Sequence, residues 1–235
     1  FYNGQATQSL RLDSSFLSRT PSTSGNRKTW TWSGWVKRNK LGGEQSVLGV
    51  TASNCGDYVT RFKFNNDNRL IFDDWVACGA FYINLITNQF FRDTSAWYHI
   101  AIAIDTTQLT ASNRAKMYVN GEQVTSFNTE TYPSVNHQTA FNSTLGHYTG
   151  RDGDPNYLYG YLSDVNFVDG LSFFSDTSGT PNTAFNINSF GETKKGAWIP
   201  IEPVVSDYGT NGFRLKYIGT GTATSSGAVT NPTNI

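Results

Sequence analysis

Hydrophobic and polar residues alternate with a period of two along most of this chain, which is the pattern of β-strands. The alternation is clearest over residues 98–104, where three isoleucines share one face and mostly apolar residues occupy the other. A strand that is apolar on both faces predicts a central position in a sandwich of two sheets. After the next strand-like run, Asn120-Gly121 predicts a type I′ hairpin turn, because both residues tolerate a positive φ.

Similar short runs follow one another along the chain, separated by turn-forming clusters of Gly, Asn, Asp and Pro. No segment shows apolar residues at helical spacing over three turns. In one run, Leu162, Val165 and Phe167 reach a common core face only if the strand carries a bulge near Ser163-Asp164. The predicted strands cover residues 9–12, 29–37, 46–50, 58–64, 69–72, 97–104, 115–119, 123–127 and 157–168, with a last candidate at 212–218.

Large side chains at alternating positions of these strands predict one core between the two sheets. Each such residue would face the opposite sheet and be removed from water. We expect this core to contain Trp97, Ile100, Ile102, Ile104, Tyr118, Leu162, Val165 and Phe167.

A chain of 235 residues is long enough for one all-β domain with a full core. We predict a sandwich over residues 1–200, then a C-terminal extension over residues 201–235 with one strand at about 212–218. Residues 219–227 are rich in Gly, Ser and Thr, which is typical of a flexible linker. Because the chain starts at Phe1 and ends in this segment, we expect a piece of a longer or processed polypeptide.

The composition of the chain limits the classes of partner that it is expected to bind. Lys plus Arg and Asp plus Glu number 18 each, so no net charge favours nucleic acid. No run approaches the roughly 18 apolar residues of a membrane helix, which predicts no membrane insertion. The basic cluster at 37–40 is interpreted as a solvated hairpin tip. Cys55 and Cys78 are too few for a zinc site, and two mostly buried free thiols are favoured over a disulfide.

Five short motifs occur in the order seen in a known class of β-sandwich. They lie at residues 9–13, 32–36, 97–101, 118–121 and 160–165. In this order the motifs resemble those of laminin-G-like domains of the concanavalin A-like jelly-roll superfamily, and the resemblance covers about residues 8–169. It implies a jelly roll built as a two-sheet antiparallel β-sandwich.

A narrower resemblance spans nearly the whole chain. Residues 17–21, 25–38, 190–200 and 208–213 resemble laminin-G-like virion proteins of tailed bacteriophages, especially marine ones. The resemblance implies a tail-fibre or other particle-surface component on the tail or capsid exterior, assembled in the host cytoplasm. The implied partners are other virion proteins, a host-surface glycan or receptor and, as in many fibre proteins, two further copies in a homotrimer.

Sequence motifs for hydrolytic chemistry are missing. Glucanases of this jelly roll carry acidic residues as Glu-x-Asp-x-x-Glu, and none of the five glutamates belongs to such a pattern. No Gly-x-Ser-x-Gly elbow is present, and only His99, His137 and His147 could serve as a base. We interpret His99 as a packed and hydrogen-bonded strand residue. The sequence therefore predicts a protein that is not an enzyme.

The loop over residues 146–157 concentrates polar chemistry. Asp152, Asp154 and Asn156 offer oxygen ligands for calcium, which prefers six to eight oxygens. The spacing is not that of an EF-hand, because Tyr157 stands where the sixth position requires Gly. Laminin-G-like domains often carry calcium at the rim, so the resemblance supports a metal here, although an ordinary polar turn is the competing interpretation.

The same loop could hold a sugar. Tyr148 and Tyr157 offer rings on which the apolar face of a sugar could stack, and Arg151 and Asn156 would suit its hydroxyl groups. Tyrosine is also common in sandwiches for packing alone. A second, weaker candidate consists of the loop at 54–57 and the pair Asp73-Asp74 beside Trp75.

The residues and the two resemblances together favour a non-enzymatic structural and adhesion module of a bacteriophage particle. An alternative is a secreted or cell-surface lectin that binds carbohydrate with the help of calcium. A glycoside hydrolase is retained as a third, less favoured class because of the shared fold alone.

Overall fold

The computed structural model describes residues 6–50, 58–76, 78–173, 181–183 and 185–217. Strands dominate this part of the chain, and its only helices are 3₁₀ turns at Ala111–Asn113 and Ile187–Ser189. The strands are β1 Leu10–Leu12, β2 Leu17–Arg19, β3 Thr29–Arg38, β4 Gln45–Val50, β5 Tyr58–Phe64, β6 Arg69–Val76, β7 Phe81–Phe90, β8 Tyr98–Asp105, β9 Ala115–Val119, β10 Glu122–Gln123, β11 Phe127–Thr131, β12 His147–Thr149, β13 Gly160–Asp169, β14 Gly191–Lys194, β15 Ala197–Pro200 and β16 Phe213–Leu215.

Two antiparallel sheets form a sandwich, as predicted. Sheet I has the order β1-β13-β3-β8-β9-β10, with β16 also paired to β13. Sheet II has the order β11-β7-β6-β5-β4-β12-β2, and β14 and β15 form a separate hairpin. Strands that are neighbours in a sheet are often distant in sequence, so most of the sandwich is held by long-range pairing.

The predicted hairpin and bulge are both confirmed. Asn120 and Gly121 have φ values of 50° and 84° and connect β9 to β10, as a type I′ turn requires. Along β13 the register with β3 shifts between Ser163 and Asn166, and Asp164 has a φ of 46°. This shift brings Leu162, Val165 and Phe167 into the same core.

Five strands were not predicted, namely β2, β7, β12, β14 and β15. β7 alternates buried Ile83 and Leu85 with partly exposed Asn84 and Ile86, which is a readable strand pattern. β2 and β12 are only three residues long, and they form because they pair with each other and β12 pairs with β4. Pairing between distant segments, rather than local preference, creates these two strands.

The core between the sheets contains six of the eight predicted residues. Ile100, Ile102 and Ile104 are fully buried there together with the three residues of β13 named above. The prediction was wrong for Trp97, which is partly exposed and packs against Tyr161 with ring centroids 6.3 Å apart. It was also wrong for Tyr118, which points to the other side of sheet I and packs in a second cluster.

This second cluster covers the outer face of sheet I. Ala103 and Val168 contribute from the sheet, and Phe173, Phe185 and Phe190 from the chain that follows it. Trp198 of the β14–β15 hairpin packs close by on the β9–β10 turn. A Cβ on Gly121 would stand 2.4 Å from the Trp198 ring. The segment after β13 therefore covers the outer face of sheet I with packed side chains.

Polar contacts fix the C-terminal extension to the sandwich. β16 pairs with β13, and Arg214 donates to Asp164 at 2.7 Å and also contacts Glu202. At the end of β13, the buried Asp169 accepts hydrogen bonds from the backbone of Asn26 and Asn211 and from the side chain of Asn142. The first strand of the extension is thus part of sheet I. The predicted linker at 219–227 lies outside the described residues.

Three further sequence interpretations meet the structure here. Arg38 is fully buried, with its guanidinium 4.5 Å from the ring centroid of Phe64, so the interpretation of 37–40 as a solvated tip was wrong for this residue. The prediction of free thiols was wrong for Cys78, which is disulfide-bonded. The chain has one other cysteine, Cys55, which lies outside the described residues. Within the described part of the chain, no helix has the length and apolarity needed to cross a membrane.

Candidate functional site

A row of side-chain positions runs across the outer face of sheet II. Antiparallel register aligns Tyr148 of β12 with Gly49 of β4, Gly49 with Arg61 of β5, Arg61 with Asp73 of β6, and Asp73 with Asn84 of β7. Because neighbouring strands lie about 4.8 Å apart, this row extends over about 19 Å. It contains residues from five strands, and all of them except Gly49 carry polar side chains.

The predicted loop closes over one end of this row. Backbone hydrogen bonds tie both of its ends to β4, from Gly150 to Val47 and from Ser46 to Asn156. Gly49 permits this approach, because a Cβ at that position would stand 2.4 Å from the Cα of Asp152. The loop therefore rests directly on the sheet rather than extending into solvent.

Aromatic rings surround one arginine of this loop. The guanidinium of Arg151 lies 4.2 Å from the ring centroid of Phe16 and 4.6 Å from that of Tyr148. Phe16 is also 5.8 Å from Tyr148 and 6.4 Å from Tyr157, measured between ring centroids. All four side chains are partly exposed. We call these four residues the aromatic–arginine cluster.

The cluster contains three of the four residues predicted to bind a sugar. Tyr148, Arg151 and Tyr157 come together as expected, but Asn156 turns its amide toward Asp152 instead. Phe16 was missed by the sequence analysis, because it precedes a strand that exists only through its pairing with β12. No local sequence signal near residue 16 marks it as a neighbour of this loop.

The three predicted metal ligands are placed differently from one another. Asp152 is fully buried and accepts hydrogen bonds from Ser46 at 2.7 Å and from the side-chain amide of Asn156 at 3.2 and 3.3 Å. Asp154 is exposed. Across the described residues, no group of three or more His, Cys, Asp or Glu side chains is arranged to hold a metal ion. Calcium at this loop stays a prediction.

The second sequence candidate divides between the two faces of β6. Asp73 lies on the outer face and accepts two hydrogen bonds from Arg61, at 2.9 and 2.8 Å. Burial raises the pKa of Asp73, although the bonds from Arg61 oppose that rise. Asp74 instead points inward, where Thr60 and His137 contact its carboxylate. Residues 54–57 lie outside the described residues.

The three histidines named in the sequence analysis have different environments, and His137 lies 2.6 Å from the carboxylate of Asp74. His99 is 1% exposed, and its Nε2 lies 2.8 Å from the hydroxyl of Ser33. Its Nδ1 is buried and makes no hydrogen bond within the described structure. His147 is held between the backbone of Asn142 and Leu145. His99 is a packed strand residue, as predicted.

We expect His99 to make stability depend on pH. Burial lowers its pKa from 6.5 to about 3, so the unfolded chain takes up a proton that the folded protein does not. The contribution is complete above pH 6.5 and is lost as the pH falls, with a slope of about 1.4 kcal/mol per pH unit. Burial also lowers the pKa of His147 to about 4, so His99→Gln should reduce, and not abolish, the slope that urea denaturation measures between pH 7 and 4.5. An unchanged slope in the variant would contradict the assignment.

The fold described above is that of a two-sheet antiparallel β-sandwich. A comparison of the sequence with protein-family models identifies the family. The family model Laminin_G_3, described as the concanavalin A-like lectin/glucanases superfamily, matches residues 13–172. This match spans more than half of the chain, so the chain belongs to that family. A search of curated proteins finds no match.

Solved structures with a similar chain path include three of different origin. A heptameric SAP-like pentraxin from Limulus polyphemus is 17% identical, with a TM-score of 0.45, over 69% of this chain and 72% of its own. A Bacteroides ovatus protein described as a putative carbohydrate binding protein is 15% identical, with a TM-score of 0.47, over 70% of this chain and 44% of its own.

The third is tailspike protein 2 of an Escherichia coli O157:H7 bacteriophage, which is 10% identical, with a TM-score of 0.45. The similar region covers 70% of this chain and 23% of the tailspike. At these values the three structures carry no argument about ligand or assembly. The narrower resemblance to phage virion proteins stays a prediction.

Proposed function

We propose that this chain is a non-enzymatic carbohydrate-recognition module, and that the aromatic–arginine cluster is its sugar-binding surface. The observation that carries the proposal is the accessibility of that cluster on sheet II. The outer face of sheet I is covered by packed side chains of the C-terminal segment, whereas Phe16, Tyr148, Arg151 and Tyr157 remain partly exposed. Aromatic rings at the surface offer the flat apolar contact that sugar rings accept.

The surroundings of Arg151 also suit a sugar. Its guanidinium contacts two rings, Phe16 and Tyr148, that contact each other as well. These contacts restrain the side chain, so less of its conformational freedom is lost on binding.

We expect Tyr148→Ala to weaken binding of a glycan by at least about tenfold, since the loss of one stacked ring removes about 1.4 kcal/mol or more. The glycan is first identified by screening the purified protein on an immobilised panel of polysaccharides. Binding is then measured by calorimetry. Phe90→Ala is the matched control, because Phe90 is also an exposed aromatic residue but lies outside the cluster. Equal losses in both variants would contradict the placement of the site.

We further propose that the module belongs to a bacteriophage particle, where it serves in a tail or head fibre together with other virion proteins. The support is the sequence resemblance of residues 17–21, 25–38, 190–200 and 208–213 to virion proteins. Mass spectrometry of purified particles tests this directly, and a map of the intact assembly would show whether three copies associate. Absence of the chain from purified particles would overturn the proposal.

One observation favours the alternative, a secreted or cell-surface lectin. Cys78 is disulfide-bonded, and disulfides persist in oxidising compartments rather than in the cytoplasm. Calcium at this loop is proposed under either hypothesis. Calcium at Asp152, Asp154 and Asn156 should add about 2.7 kcal/mol of unfolding free energy at a hundredfold excess over its Kd. An unchanged melting temperature in calcium and in chelator would contradict the metal site.

A further inference from the structure

The charges on the outer face of sheet II are unequally compensated. Arg61 forms a bidentate ion pair with Asp73, and Lys63 pairs with Glu44 at 2.7 Å. Arg151 lies on the same side of the sheet, and within the described residues it forms no ion pair. Its carboxylate neighbour in sequence, Asp152, is turned into the loop and bonded to Ser46 and Asn156.

The hydrogen-bonding capacity of Arg151 is also mostly unused. A guanidinium has five N–H donors, and this one makes a single bond, from Nη2 to the carbonyl of Gly153 at 3.3 Å. Its Nε is buried without a partner in the described structure, whereas Nη1 makes no hydrogen bond and remains accessible. The buried Nε is out of reach of a ligand, so the terminal nitrogens are the donors that an acceptor from outside can satisfy.

The geometry limits what that acceptor can be. Phe16 and Tyr148 cover the guanidinium, so the edge that carries the terminal nitrogens is the part left for hydrogen bonding. A guanidinium edge pairs best with an oxyanion that accepts two parallel bonds, such as a carboxylate or a sulfate. The rings beside it are placed to contact the sugar that carries the oxyanion.

We propose that the aromatic–arginine cluster selects an acidic sugar, whose carboxylate or sulfate group pairs with Arg151 while the sugar ring contacts Tyr148 or Tyr157. This inference rests on the proposed function and specifies the class of its ligand. Neutral glycans would leave the charge of Arg151 unpaired and would bind more weakly to the same surface.

The test compares acidic sugars with neutral partners of the same backbone. One arm uses galacturonate oligomers and their methyl esters, and the other uses sulfated galactan oligomers and the desulfated form. We expect the acidic member of at least one pair to bind about tenfold or more tightly than its neutral partner, with an affinity that falls as salt is raised. The arm that shows the difference identifies the oxyanion as carboxylate or sulfate.

Variants separate a local pairing from general charge. Arg151→Gln should abolish the preference for the acidic member, and Arg151→Lys should restore only part of it, since lysine is a point charge without a planar fork. Arg92→Gln is the matched control, because Arg92 is an exposed arginine stacked 4.2 Å from the ring of Phe90, outside the cluster. Melting temperatures confirm that each variant is folded.

The possible failures are distinguishable. Equal binding of acidic and neutral partners, or equal losses in Arg151→Gln and Arg92→Gln, would overturn the acidic-sugar inference and leave the carbohydrate function standing. Absence of binding to every charged and neutral glycan by the wild-type protein would overturn both.

Discussion

Replacing Ile102 with alanine is expected to lower the free energy of unfolding by about 2–5 kcal/mol. Ile102 is fully buried in the core between the sheets, on the central strand β8, where β3 and β9 pair on its two sides. The change removes three carbon atoms and leaves a cavity, because two rows of paired backbone restrain the collapse of the strand into the gap. Urea denaturation of the two proteins measures the difference.

Leu109→Ala is the matched control for this change, since the side chain of Leu109 is 72% exposed. It should alter stability by no more than about 0.5 kcal/mol. A loss of that small size in Ile102→Ala would show that the inner face of β8 has been assigned incorrectly.

Replacing Asp169 with alanine is expected to lower the free energy of unfolding by about 3–5 kcal/mol, because each hydrogen bond to a charged group contributes about 1.5–3 kcal/mol. Its carboxylate accepts from Asn26 at 2.8 Å, from Asn142 at 2.6 Å and from Asn211 at 3.0 Å. The substitution removes the acceptor that these donors share, and it leaves the side-chain contacts of Asn142 with Asn26 and Asn211. Denaturation should show the loss, and hydrogen exchange should rise first in the segment around Asn211.

Asp154→Ala removes the same charge from an exposed position and should change stability by less than about 0.5 kcal/mol. Asp169→Asn provides a second comparison, because it keeps the shape but offers one acceptor oxygen instead of two. A variant Asp169→Ala as stable as Asp154→Ala would mean that the network contributes nothing to holding the extension.

The sandwich could be predicted because its strongest strands carry their own signals. The alternation in β8, the Asn120-Gly121 turn and the irregular spacing in β13 each depend on residues close together in sequence. The burial of Tyr118 under Phe173 could not be predicted in the same way. A period of two identifies two faces but does not say that a later segment will cover the outer one.

Only part of the candidate site could be predicted, because only some of its residues lie close together in the sequence. Tyr148, Arg151 and Tyr157 share one loop, so their proximity follows from the chain itself. Phe16 enters through the pairing of two three-residue strands, and Arg61 enters through the register of sheet II. Asp152 is buried whereas Asp154 is exposed. The burial of Asp152 depends on Gly49, which allows the loop to approach β4.

The packing of the C-terminal segment on sheet I determines where this domain can be truncated. The family model ends at residue 172, yet Phe173, Phe185 and Phe190 cover the sheet beyond that point. A fragment ending at the family boundary would also lose β16 and the hydrogen bonds from Asn211 to Asp169. Such a fragment would present a continuous apolar patch to water, and self-association is its expected behaviour. The folding unit is therefore longer than the region that the family model matches.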